Sequence, residues 1–210
     1  MANFARAERL ALCDTLTTTG PDVATLCEGW SARDLAAHLV VRERRPDAAV
    51  GLVLPPLSGH AESVQASVAS TPWTALVDQV RQGPPVWHPA RLGAVDEAMN
   101  TAEFFVHHED VLRAQPGWTA RELPDAEQRA LWRAASMAGR LALRQAPTGV
   151  ELVAPGHGRT VAHRGQPMVR VEGAPSELLL WAFGRRSVAQ VHLDGPNDAV
   201  ERLQGSASGL

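Results

Sequence analysis

Apolar positions recur at helical spacing through the first two thirds of the chain. Phe4, Ala7, Leu10, Ala11 and Leu16 return among Arg6, Glu8, Arg9 and Asp14, which predicts a helix over 4–18 that Gly20-Pro21 ends. Ser31 followed three residues later by Asp34 has the form of a capping box, so a second helix should open there. Asp34, His38 and Arg42 share one stripe of it, with Leu35 and Leu39 nearby. Pro46 falls near its end and Pro55-Pro56 breaks the segment, and residues 57–60 read as loop. A third helix is predicted over 61–82 with a break or new first turn at Pro72, closed by Gly83-Pro84-Pro85. An irregular stretch with Trp87, His88 and Pro89 leads to a fourth helix over about 95–115, which Pro116-Gly117-Trp118 stops. A fifth runs from Pro124-Asp125 to about Arg144, with Leu131, Ala135, Ala138 and Leu141 on one side.

The period changes after Ala146-Pro147-Thr148-Gly149. Residues 150–153, 168–171 and 188–193 read as strands, and Gly156-His157-Gly158-Arg159 as a hairpin turn. Residues 174–183 and 196–203 read as short helices between and after them. The chain is therefore expected to be a mainly α, helical-bundle domain over 1–145, a small α+β domain over 146–205, and a disordered tail over 206–210.

Composition narrows the function classes. A net charge of -3 gives no electrostatic argument for nucleic acid or an anionic membrane. Met1 to Leu16 carries Arg6, Glu8, Arg9 and Asp14, so it does not read as a signal peptide, and no later segment reads as a membrane span. Cys13 and Cys27 form no CxxC or disulfide framework, and the expectation is a reduced, cytoplasmic protein. All twenty basic residues are arginine and there is no tyrosine. Schiff-base chemistry, a P-loop lysine and tyrosine acid catalysis are thereby excluded within this chain.

The chemistry concentrates on the fourth helix. Glu103 and His107 lie one turn apart and Asp110 follows on the same face. A carboxylate and an imidazole four apart make half of a divalent-metal site, and His38 on the second helix is the candidate for the rest. Taken singly, His38 would more often be a histidine hydrogen-bonded in or near the core, and Glu103 a solvated carboxylate. Three protein ligands would leave one position open, as in catalytic zinc sites. Asp110 is a candidate acceptor for the His107 ring, and Asp34 for His38 unless capping occupies it. His108 sits round the helix and reads as a surface or bundle contact. His60, His88, His157, His163 and His192 have no partner at ligand spacing. Cys13 and Cys27 read as small hydrophobes, although either could be a ligand.

Gly29-Trp30-Ser31-Ala32-Arg33-Asp34-Leu35-Ala36-Ala37-His38 resembles the G-W-S/T-x-x-D-L-x-x-H segment of the mycothiol-dependent maleylpyruvate isomerase family, within the DinB-like superfamily. The run from Glu103 to Asp110 is similar to its E-x-x-V-H-x-x-D. The run from Ala174 to Arg185 is similar to the G-x-P-x-E-L-x-x-x-x-x-G-R stretch of its sterol-carrier-like second domain. The chain resembles members of unassigned chemistry more than the isomerase proper. The resemblance implies an up-and-down four-helix bundle holding a divalent metal, usually zinc, through His38, Glu103 and His107. It also implies mycothiol as a low-molecular-weight thiol whose sulfur the metal activates, a small electrophilic substrate, and Arg185, with Arg186 as the lesser candidate, for an anionic group. The expected function is a thiol-dependent transferase or isomerase. Metal-dependent hydrolysis on the same site, and a metal- or ligand-sensing module without turnover, stand as alternatives.

Overall fold

Proline and capping residues set most of the helix limits in the computed structural model, which describes residues 4–49, 51, 58–85 and 94–206, with residues 94–99 described by their backbone alone. Pro55, Pro56, Trp87, His88, Pro89 and the tail beyond Ser206 lie outside the described residues. Helix α1 is Phe4–Thr19 and α2 is Ala32–Arg44. The predicted capping box closes in both directions. Ser31 accepts from the Asp34 amide, and the Asp34 carboxylate accepts from the Ser31 amide at 2.9 Å. Helix α2 stops ahead of Pro46, which opens the short α3, Pro46–Ala49.

The predicted third helix is two, α4 (Ser58–Ala69) and α5 (Trp73–Gln82), with Pro72 as the N-cap of the second. Ser58, Gly59 and His60, expected in a loop, form the first turn of α4. Helix α6 is Ala94–Leu112 and α7 is Asp125–Ala142. On α7 the buried positions are Leu131, Ala134, Ala135 and Gly139, while Leu141 is half exposed. Alanine is small enough for either of two neighbouring stripes to be buried, and the one chosen leaves the predicted Leu141 outside.

The C-terminal part carries a four-stranded sheet in the order β2-β1-β3-β4, from β1 (Gly149–Ala154), β2 (Gly158–His163), β3 (Met168–Gly173) and β4 (Val191–Asp194). Strands β1 and β2 form the antiparallel hairpin, β3 runs parallel to β1, and β4 is antiparallel to β3. Strand β4 begins later than the apolar run suggests. The Val188 and Ala189 amides are committed to the Arg185 carbonyl instead. Val150, Leu152, Val169 and Val171 line the covered face, with Val150 opposite Val169 and Leu152 opposite Val171. Gly149 is required at the start of β1, because a Cβ there would run into the Gly165 carbonyl.

Helix α8 (Pro175–Ala182) is buried along its whole length, and the polar groups of its first turn are hydrogen-bonded there, the Ser176 amide donating to Gln128 Oε1 at 3.0 Å and the Glu177 carboxylate accepting from the Gln190 amide at 2.8 Å. Leu178 and Trp181 face the sheet cluster, while Leu179 and Leu180 join Phe105, Val106, Leu131 and Ala135. Helix α9 (Asn197–Gly205) places Ala199 and Leu203 in the sheet cluster. The described chain divides into two compact units, residues 1–97 with 107–119, and residues 98–106 with 120–210. Among the described residues no helix is long and apolar enough to cross a membrane.

Candidate metal centre

Helix α2 carries His38, and the loop before its cap brings Trp30 alongside, the two ring centroids 5.1 Å apart. Helix α6 carries Glu103 and, one turn on, His107, whose ring centroid lies 5.3 Å from that of His38 in an edge-on arrangement. One donor atom from each of His38, Glu103 and His107 lies within 4.8 Å of the other two. The three residues singled out by spacing are thus brought together. Two imidazoles and a carboxylate are a donor set that suits zinc and related divalent ions.

His107 is nearly buried and Asp110 fully so. The His107 Nδ1 atom and the Asp110 Oδ2 atom are 3.0 Å apart. With that nitrogen bonded to the carboxylate, Nε2 is the ring atom suited to a metal. Asp34 is spent on the capping box rather than on His38.

Cys27, which the sequence offered only as a small hydrophobe or a possible ligand, joins this group through Asp110. Its thiol donates to Asp110 Oδ2 at 3.2 Å, and Cys27, His107 and Asp110 form a second group of donors within 4.8 Å of one another. Nothing local in the sequence links a cysteine in a turn to an aspartate on a distant helix, so only the fold could reveal the pairing.

His108 belongs to the structure instead. Its Nδ1 is 2.7 Å from Glu8 Oε1 and its Nε2 is 2.8 Å from Thr15 Oγ1, so the ring is buried against α1. Beside it, Arg9 makes a bidentate pair with Glu43, at 2.6 and 2.5 Å, and donates to the Val80 carbonyl. Glu109 and Arg113 form another buried pair one turn apart on the α6 side.

Arg185 follows α8, and its Nη1 donates to the Phe183 carbonyl at 2.6 Å. Arg186 has a different occupation. It stacks on Trp181, 4.6 Å from the ring centroid, and donates to the Leu203 and Ser206 carbonyls at the end of α9. Burial pulls its pKa down from the ordinary arginine value.

No family model matches the sequence, and no curated protein matches it. Solved structures do. The fold resembles that of a mycothiol-dependent maleylpyruvate isomerase. The crystal structure of that enzyme superposes with a TM-score of 0.61 at 20% identity, over 91% of this chain and 90% of that chain. A histidine-to-alanine mutant of the same enzyme gives 0.60 at 19% identity, over 91% and 90%. At this identity the likeness concerns the fold alone.

Proposed function

We propose that this protein binds a divalent metal, zinc for preference, through His38, Glu103 and His107, and uses it as a mycothiol-dependent transferase or isomerase on a small electrophilic substrate. The observation that carries the reading is the convergence of those three donor atoms within 4.8 Å. A DinB-like four-helix bundle with a sterol-carrier-like second domain, working in the cytoplasm, belongs to the same reading. The fold likeness to a mycothiol-dependent isomerase supports it.

A divalent ion held there would supply Lewis acidity that keeps a ligating thiol ionised at neutral pH. The chain's own residues supply the rest. Asp110 Oδ2 lies 3.0 Å from His107 Nδ1, where a carboxylate would hold that nitrogen's proton and leave the ring's other nitrogen its lone pair. Trp30 lies against His38 and restricts the ring's swing. Arg185 is assigned to an anionic group of substrate or thiol, its guanidinium already oriented by the Phe183 carbonyl.

Elemental analysis of the purified protein beside His107→Ala and Glu103→Gln tests the ligands, and calorimetric titration of the metal-loaded protein with mycothiol tests the thiol. Metal at stoichiometry in the wild type and its loss from both variants is expected, with thiol binding that depends on the metal. Equal metal retention by both variants would overturn the ligand assignment. Metal without any thiol binding would turn the reading toward hydrolysis or sensing.

A further inference from the structure

Asp110 is in contact with the His107 ring and with the segment that leads into the helix of His38. Its Oδ2 accepts from His107 Nδ1 on the same helix and from the Cys27 thiol, while its backbone carbonyl accepts from the Leu26 amide at 3.0 Å. Leu26 and Cys27 belong to a segment stiffened by its own hydrogen bonds. Ala24 bridges Ser31, the Thr25 hydroxyl donates to the Trp30 carbonyl at 3.0 Å and accepts from the Cys27 amide at 3.2 Å, and the Trp30 amide donates to the Cys27 carbonyl. The segment runs directly into Ser31, the cap of α2, and carries the Trp30 ring that lies against His38. One buried carboxylate therefore fixes the ring of His107 and anchors the segment that launches the helix of His38.

We propose that Cys27 and Asp110 form a latch of positioning residues, in which Asp110 holds His107 as its Nδ1–H tautomer and the Cys27 thiol holds Asp110. The proposal rests on the metal reading for its purpose and on the hydrogen bonds for its existence. A rival role for the same atoms is direct ligation, since Cys27, His107 and Asp110 also present three donors close together. Hydrogen bonding is preferred because both Cys27 and His107 are placed to donate to one oxygen, an arrangement that satisfies all three groups without an ion. Removing a carboxylate that orients a ligating histidine typically weakens metal binding about 10–100-fold. A residue one bond further out should cost less.

The experiment has a metal-free arm and a metal arm. Ring 15N shifts of His107 in the metal-free full-length protein are expected to show the Nδ1–H tautomer. Asp110→Ala should lose that preference. Asp110→Asn, which keeps an acceptor of the same shape, serves as the variant if the alanine form does not fold. In chelator competition, Asp110→Ala should weaken zinc binding by about 10-fold or more, Cys27→Ala by less, and Cys27→Ser should recover most of the loss by retaining a donor. Cobalt-loaded wild type should lack a thiolate-to-metal charge-transfer band. Such a band would make Cys27 a ligand and overturn the latch, as would wild-type affinity and an unchanged tautomer in both Cys27→Ala and Asp110→Ala. A wild type that binds no metal would remove the functional reading, while the tautomer measurement would still decide the latch.

Discussion

At the scale of single residues, the two cysteines separate cleanly. Cys13 is fully buried, and desolvation pushes its thiol up from 9.0 to about 11. Between those values the folded chain keeps a proton that the unfolded chain has lost. The native state then binds more protons, so stability must fall as pH rises through that window and be unaffected below it. The slope contributed is at most about 1.4 kcal/mol per pH unit. The chain has neither lysine nor tyrosine to obscure it. Urea melts from pH 8 to 11 should show this loss and Cys13→Ala should flatten it; an equal slope in the variant would refute the assignment. A thiol reagent at pH 8 should reach the partly exposed Cys27 in the native protein and Cys13 only after unfolding. The Arg9–Glu43 pair carries a second expectation at this scale. Glu43→Leu leaves a buried guanidinium without its carboxylate and should cost about 3–5 kcal/mol. Arg9→Met with Glu43→Leu should restore much of that loss, so additive effects in the double variant would argue against a coupled pair. Asp110 was legible as a neighbour of His107 because three residues on a helix fix a shared face. Cys27 was not, because its partner is set by tertiary folding alone.

Elements were legible where their signals are local. The capping box at Ser31 and Asp34 is written within four residues, and it appears in the structure with both reciprocal hydrogen bonds. Ser31→Ala should therefore destabilise by about 1 kcal/mol and lower the melting temperature by roughly 2–4 °C, while Ser31→Thr should retain most of the stability. Thermal melts followed by circular dichroism decide this, and an alanine variant as stable as wild type would mean the cap is redundant. Strand β2 shows the opposite case. Gly158 to His163 is largely polar at the edge of the sheet, so no apolar alternation marks it, and it is specified by pairing with β1. The buried face of α7 takes in Leu131 and Ala135 of the predicted stripe but leaves Leu141 half exposed, for a related reason. An alanine-rich helix offers several weak stripes, and the neighbour that packs on it selects one.

For the whole molecule, composition shows where helices give way to strands but not which helices a sheet will recruit. Helix α7 and the 98–106 stretch of α6 fall in the same compact unit as the sheet. Spacing conveyed that Glu103 and His107 share a face of α6, and the fold completes the donor set by bringing one atom of His38 within 4.8 Å of both. That set makes a prediction about the molecule's stability. Donors from α2 and α6 come together only in the folded state, so a metal bound by all three must favour folding over the unfolded chain. With free zinc at 100 times its dissociation constant the gain is about 2.7 kcal/mol, which at about 2–4 °C per kcal/mol for a chain of this size raises the melting temperature by roughly 5–10 °C. Chelation should reverse the shift. Glu103→Gln and His107→Ala should each abolish most of it while remaining folded, because removing a ligand deletes the linkage without deleting the helix. A wild-type melting temperature indifferent to zinc, cobalt and manganese alike would mean that these three side chains converge for packing, and the metal reading would fall with it.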